Sequence, residues 1–317
     1  MNKNPLTFGS QLAKAVLTKR NPVCVGLDPR VQGLPDSLKP TDESSYSAIA
    51  DAFEKFCVEI IDVVSSLVPI VKPQVAFFEQ YGPEGMLALK RVIAYASSKG
   101  LLVIADAKRG DIGTTAEAYA QAFMGRGSMS AFGADCLTVN PYLGEDSLTP
   151  FVEQADRTST GIFVLVKTSN PGSGFIQDLK FENLSISERI ADWVQTQSKI
   201  EIERVANEAT SSRSVSEGQS ARYGSIGAVV GATYPEQLAS LRARMPNAWL
   251  LIPGYGAQGG NAKDIASAFD ADGLGAIVNN SRGIIFAQQS KKYAHLNWQT
   301  AVDAATRDMI AAFQAST

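Results

Sequence analysis

The stretch LLVIADAKRGDIGTTAE, residues 101–117, carries the pattern on which the fold turns. It opens on a nearly continuous apolar run, meets Asp106 and Lys108, breaks at Gly110 and passes into a helical pattern. Such a run is expected of a strand buried on both faces, as in parallel sheets covered by helices. Thr114 and Glu117 have the spacing of a capping box, which predicts a helix with Thr114 as its N-cap.

The same grammar recurs on both sides of this stretch. VCVGLD (23–28) and IVKPQVAF (70–77) precede LLVIADAK (101–108). CLTVNPY (136–142), IFVLVKTS (162–169), IGAVVGA (226–232), WLLIPGY (249–255) and GAIVNNS (275–281) follow it, making eight runs in all. Helical patterns fill the gaps. Ile49, Phe53, Phe56, Ile60 and Leu67 fall at three-to-four spacing or its multiples. GPEGMLALKRVIAYASSKG (82–100) ends on the Gly expected after a helix, and PEQLASLRARMP (235–246) starts on Pro and stops before Pro. NWQTAVDAATRDMIAAFQ (297–314) closes the pattern as an amphipathic helix.

Eight strands alternating with helices predict an α/β chain folded as a (β/α)₈ TIM barrel, one catalytic domain over residues 1–317 with an N-terminal helix. An open doubly wound sheet is the alternative. It would place a glycine fingerprint after the first strand, where this chain has GLDPR (26–30). One segment breaks the repeat: NEATSSRSVSEGQSARYG, residues 207–224, is polar and Ser-rich. It reads as an inserted surface loop, a spacer between the fifth helix and the sixth strand.

Composition narrows the chemistry. The 317 residues carry a formal net charge of −3, which gives no reason to expect nucleic acid or an anionic membrane as partner. Cys24, Cys57 and Cys136 are far apart and set among apolar residues, so they read as buried free thiols of a reducing compartment. His295 is the one histidine. A zinc site of His and Cys is therefore not expected, and acid–base work falls to Lys, Asp, Glu or Tyr. The N-terminus shows no signal-peptide pattern and no run is long enough to span a membrane, so the expected location is the cytoplasm.

Working residues of parallel barrels sit at the C-terminal ends of strands. Asp106 and Lys108, at i and i+2, are expected to share a strand face and project together toward the barrel mouth. Asp111 follows in the loop, Lys72 lies in the second run and Asp28 ends the first. A lone DxK is most simply a structural ion pair. Charged residues at the same end of three neighbouring strands suggest instead a Lys–Asp array that balances its own charge while presenting an ammonium to a ligand. Strand seven runs into PGYGAQGG (253–260) and strand eight into NNSRG (279–283). A Gly-rich loop after strand seven with an Arg after strand eight is a phosphate-binding pattern. The candidate substrate-binding residues of these two loops are Pro253, Gln258, Gly259, Ser281 and Arg282. Ser169, after strand five, suits either a polar ligand edge or the capping of its turn, and the residues alone favour the turn.

At this point the sequence resembles the orotidine 5′-phosphate decarboxylase family. Asp106-Ala-Lys108-Arg-Gly-Asp111-Ile112 matches its DxKxxDI signature. GLDPR, VKPQVAFFEQYG, TVNPYLGEDSLTPF, KTSNPGS, PGYGAQGG and NSRGI resemble it in order, from about residue 20 to residue 285. The wording DAKRGDIG and the length are similar to the longer bacterial, type 2 subgroup. The resemblance implies conversion of orotidine 5′-phosphate to UMP and carbon dioxide with no metal and no cofactor. It implies that Lys108 protonates C6 of the pyrimidine, that Asp106 lies near the substrate carboxylate, and that Lys72 bridges the array to the ribose with Asp28 on a ribose hydroxyl. It further implies a homodimer in which Asp111 reaches the partner's site, with Ile112 and Thr115 lining that shared site. Ser169 would read the pyrimidine amide edge, and Gln258 and Arg282 would grip the phosphate.

Two other readings compete. A metal-dependent sugar-phosphate decarboxylase or aldolase of the same superfamily would use the same DxK strand with one more carboxylate, for which Glu79 and Glu145 are the candidates. A non-catalytic barrel that senses a nucleotide is the third reading.

Overall fold

Helix α1 (Phe8–Lys19) leads into strand β1 (Val23–Leu27), α2 (Tyr46–Val64), β2 (Ile70–Pro73), the short α3 (Ala76–Glu79) and α4 (Gly82–Ser98). The chain continues through β3 (Leu102–Arg109), α5 (Gly113–Phe123), β4 (Cys136–Val139), α6 (Glu145–Thr158) and β5 (Gly161–Lys167). Next come the short α7 (Gly174–Gln177), a hairpin of β6 (Lys180–Phe181) and β7 (Leu184–Ser185), and the long α8 (Ile186–Ser211). Strand β8 (Ile226–Val230), α9 (Pro235–Arg244), β9 (Leu250–Ile252), β10 (Ala276–Asn280), the short α10 (Arg282–Ile285) and α11 (Trp298–Gln314) complete it. The structure is a computed structural model that describes residues 6–125, 130–211, 222–254 and 263–315.

Eight strands close into a barrel in the order β1-β10-β9-β8-β5-β4-β3-β2. All eight neighbour pairs are parallel, so the (β/α)₈ expectation holds and the open sheet does not. Each of the eight apolar runs falls on one barrel strand. The second is shorter than its run: the strand ends at Pro73, one further bridge joins Gln74 to Asp106, and Ala76–Glu79 turn into α3.

Alternation along each strand sorts the apolar side chains into two layers. Val23, Val25, Leu27, Val71, Val103, Ala105, Leu137 and Val139 face outward and pack with the helices. Cys24, Ile70, Ile104, Cys136, Phe163, Leu251 and Ile277 form a separate inner cluster. Helix α1 adds Phe8, Leu12 and Val16 to this inner layer. Phe8 meets Phe163 edge-on at 6.3 Å, and Trp249 donates from Nε1 to the carbonyl of Gly9 at 3.2 Å. The amide of Gly9 donates to Ser225, just before β8, so α1 stoppers the N-terminal mouth. Gly161 makes room for it: a Cβ there would lie 2.3 Å from the Phe8 ring. The inward register that starts apolar at this end, with Cys24, Ile70, Ile104 and Cys136, reaches Asp28, Lys72, Asp106 and Thr138 at the other.

Two local expectations are corrected. Helix α5 begins at Gly113 (φ +50°) with Ile112 as N-cap and no side-chain cap bond, so Thr114 is not the cap. A left-handed glycine turns the chain into the helix early, leaving Thr114 with a helical backbone that an N-cap cannot have. Nor is 207–224 all loop. Helix α8 continues to Ser211, and at the far end Tyr223 is buried against Trp249, with ring centroids 5.1 Å apart. Arg222 pairs with Asp270 at 2.6 Å and Asp272 at 2.7 Å. The stretch between, 212–221, lies outside the described residues. The three cysteines are buried and free, as read from the sequence. Among the described residues no helix is long and apolar enough to cross a membrane.

Candidate active site

The C-terminal mouth is built around one carboxylate. Asp106, near the end of β3, is 6% exposed and accepts four hydrogen bonds. Lys72 Nζ reaches its Oδ2 at 2.6 Å from β2, joined there by Gln74 Nε2 at 3.0 Å. Lys108 Nζ reaches its Oδ1 at 2.6 Å, joined by Thr138 Oγ1 at 2.9 Å from β4. Two donors per oxygen fill the accepting capacity of a carboxylate. Burial alone would raise the Asp106 carboxyl, but the Lys72 and Lys108 ammoniums outweigh it and hold the group well below the usual carboxylate range. Burial would likewise strip Lys72 of its proton; the charges of Asp106 and Asp28 reverse that and raise it above an ordinary lysine.

Asp106 and Lys108 come together as expected, but not by simple alternation. Strand β3 pairs Ala105 with Leu137 and next Arg109 with Val139, so four steps along β3 answer two along β4. Within this bulge Lys108 adopts a left-handed backbone, φ +50°, at a cost of roughly 1–2 kcal/mol for a residue with a Cβ. Its amide donates to Thr138 Oγ1 at 2.9 Å. The bulge turns the Lys108 side chain into the mouth, where it is 46% exposed while its tip stays on Asp106. A non-glycine residue held left-handed is a strain seen most often at functional sites.

Asp28 stands just beyond β1, with a buried Oδ1 that has no hydrogen-bond partner among the described residues. Ser281 Oγ and Asn279 Oδ1, from the end of β10, are buried and unpartnered in the same way. Gly26 leaves room for both: a Cβ there would lie 2.0 Å from Ser281 Oγ and 3.1 Å from Asn279 Oδ1. Three acceptors unpaired among the described residues thus lie at the ends of the adjacent strands β1 and β10, suited to a ligand that brings hydroxyl donors. Arg282 is exposed at the start of α10 and makes no ion pair among the described residues. Pro253 follows β9, and Gly254 turns the chain at φ +91°. Gln258 and Gly259 lie outside the described residues.

At the end of β5, Lys167 is fully buried and pairs with Asp178 at 2.7 Å, while Gln177 accepts from the amide of Thr168 at 3.0 Å. These contacts tie down the loop that carries Ser169, which packs on Gly231 beyond β8. Asp111 accepts from the amide of Ile112 at 2.8 Å, and no hydrogen bond or ion pair joins it to Lys108 or Asp106 among the described residues. Ile112 is 59% exposed and Thr115 is exposed beside it. The structure therefore gathers Asp28, Lys72, Asp106 and Lys108, and leaves Asp111 half-buried outside that network with Ile112 and Thr115 exposed beside it.

Gln74, Thr138 and Asn279 escape the sequence reading. Their signal is a polar residue at an inward position of an otherwise apolar run: two after Lys72, two after Cys136 and two after Ile277. Neither carboxylate suggested for the metal-dependent reading joins the array: Glu79 pairs with Arg109 at 2.7 Å and Glu145 opens α6.

Residues 21–296 match the family model described as the orotidine 5′-phosphate decarboxylase / HUMPS family. The chain is 50% identical over 311 residues to the orotidine 5′-phosphate decarboxylase of Rhodopirellula baltica, covering 96% of this chain and 98% of that one. It is 42% identical over 282 residues to that of Deinococcus radiodurans, covering 89% and 90%. Among solved structures, the OMP decarboxylase of Leishmania donovani superposes with a TM-score of 0.71 at 31% identity, covering 98% of both chains. With a closed parallel barrel, a charged mouth and a family match over most of its length, the chain belongs to the orotidine 5′-phosphate decarboxylase / HUMPS family.

Proposed function

We propose that this protein converts orotidine 5′-phosphate to UMP and carbon dioxide in pyrimidine nucleotide synthesis, with residues 1–317 working as one catalytic barrel domain. The observation that carries this reading is the Lys72–Asp106–Lys108 array at the mouth of the barrel. Breaking the C6–carboxylate bond leaves its electron pair on an sp² carbon with no internal sink. The Lys108 ammonium, already fixed on Asp106, stabilises that pair and then donates a proton to C6, becoming an amine that regains its proton from solvent. Lys72 and Asp28 take the ribose, Ser169 the pyrimidine edge, and Gln258 and Arg282 the phosphate, with Pro253, Gly259 and Ser281 lining that end. Binding energy from the unreacting phosphate serves the chemistry by ordering the site.

The active form is a homodimer in which Asp111 of one subunit completes the site of the other, flanked by Ile112 and Thr115. The exposure of Ile112 and Thr115 supports this, as does the lack of any bond from Asp111 to Lys108 or Asp106 among the described residues, and so does their neighbourhood. The loop after β4, with Tyr142 74% and Leu143 50% exposed, runs beside them: a Cβ on Gly110 would lie 2.9 Å from the Asn140 carbonyl. The reaction needs no metal or cofactor and takes place in the cytoplasm.

The test is loss of orotidine absorbance on mixing purified protein with orotidine 5′-phosphate, with and without excess EDTA. Equal decarboxylation in both is expected. No turnover would sink the reading, and turnover abolished by EDTA would transfer it to the metal-dependent branch of the superfamily.

A further inference from the structure

We infer that Thr138 is a positioning residue for proton transfer by Lys108, through a hydroxyl that contacts Lys108 at its base and shares the carboxylate oxygen that holds its tip. The inference rests on the reading of Lys108 as the proton donor. A lysine stem is flexible, and this one is too exposed, at 46%, for packing to hold it. Its position is therefore set at its two ends. At the tip, Nζ rests on Asp106 Oδ1 at 2.6 Å. At the base, the left-handed backbone offers its amide to Thr138 Oγ1 at 2.9 Å. The same oxygen donates its own hydrogen to Asp106 Oδ1 at 2.9 Å.

One hydroxyl thus accepts from Lys108 and donates to the carboxylate oxygen that aims it. Thr138 lies on β4 between the two residues that pair across the β3 bulge, Leu137 and Val139, and is 1% exposed. It is the β4 side chain opposite the two extra residues, and a hydroxyl there meets what the bulge would leave unpaired. Gln74 plays the matching part on Oδ2 beside Lys72. The two ammoniums are thereby held on separate oxygens of one carboxylate. Without the Thr138 hydroxyl, Oδ1 loses a donor, the Lys108 amide loses its acceptor, and the ammonium can slide about the carboxylate.

Thr138→Val keeps the shape and removes the hydroxyl, while Thr138→Ser keeps the hydroxyl. With orotidine 5′-phosphate as substrate, Val is expected to lower kcat by about 10²-fold, the scale on which a misplaced catalytic group costs rate. KM and the affinity for UMP should stay within about threefold, and Ser should restore kcat to within about threefold of wild type. Wild-type kcat in the Val variant overturns the inference. So does equal impairment of Val and Ser, or a loss confined to KM. If the Val variant does not fold, Thr138→Cys, with a weaker hydrogen-bonding group of similar size, is judged by the same criteria. Absence of decarboxylation by the wild-type protein would instead remove the underlying reading, so the two failures are told apart.

Discussion

Lys108 carries its charge on a stem half open to solvent, yet its tip and its backbone are both fixed. Rate enhancement by a placed ammonium depends on that fixing, because a charge that must reorganise during the reaction loses most of its benefit. Lys108→Ala is expected to fold and to bind UMP while kcat falls at least about 10²–10⁴-fold, the range for a lost general acid; near-normal turnover would contradict the role. Asp106 makes a stability prediction with a definite sign. Its carboxyl is held below the ordinary range, so its contribution is complete above the unfolded pKa of about 3.9 and drains away as pH falls toward the folded value. Lys72 is raised, so its contribution is complete below about 10.4 and is lost as pH rises through the folded value. Asp106→Asn, which leaves Lys72 buried without its anion, should cost on the order of 3–5 kcal/mol. Urea unfolding should show this gap constant from about pH 5 to 9 and narrowing below about pH 4, where the wild type loses its own ion pair. A gap that persists unchanged at pH 2 would mean that the carboxylate is not the stabilising partner.

At the scale of elements, β3 and α1 divide the labour. The β3 bulge is where strand pairing gives way to chemistry: Asp106 remains in the wall and Lys108 leaves it. Helix α1 works at the opposite mouth, where Phe8, Leu12 and Val16 finish a core the strands alone would leave open. Gly161→Ala tests this separation, since its methyl would meet the Phe8 ring at 2.3 Å and the Ser225 carbonyl at 2.7 Å. Overpacking of this kind costs typically about 1–3 kcal/mol. Chemical denaturation should register that loss, while kcat on orotidine 5′-phosphate stays within about twofold because the mouth is built by the other strand ends. A collapse of kcat without loss of stability would show that the two ends are coupled.

For the whole molecule, the site within one chain has an ammonium, its carboxylate and a set of unpaired acceptors, while Asp111 makes no bond to them among the described residues. In the two-fold dimer proposed above, whatever one subunit lends it also receives. Lys108→Ala and Asp111→Asn should each be nearly inactive alone. Mixed and reassembled, they should recover about a quarter of wild-type activity, since half the dimers are hybrid and one site in each hybrid has both residues intact. Absence of recovery in verified hybrids would mean that each chain completes its own site.

Much of this architecture was legible along the chain because burial on both faces demands apolar runs, and eight such runs with helices between them close a barrel. Asp106, Lys108, Lys72 and Asp28 were legible for the same reason: a charge at the end of an apolar run is costly unless it has a partner or a purpose. The cap at Thr114 and the loop at 207–211 misled, since local propensity is weaker than a left-handed turn at Gly113 or the reach of α8. Only the tertiary structure decided how Lys108 meets Asp106. The sequence determined which residues stand two apart on β3; the bulge against β4, the left-handed backbone and the Thr138 hydroxyl between them are properties of two strands paired, and no single strand specifies its partner's register.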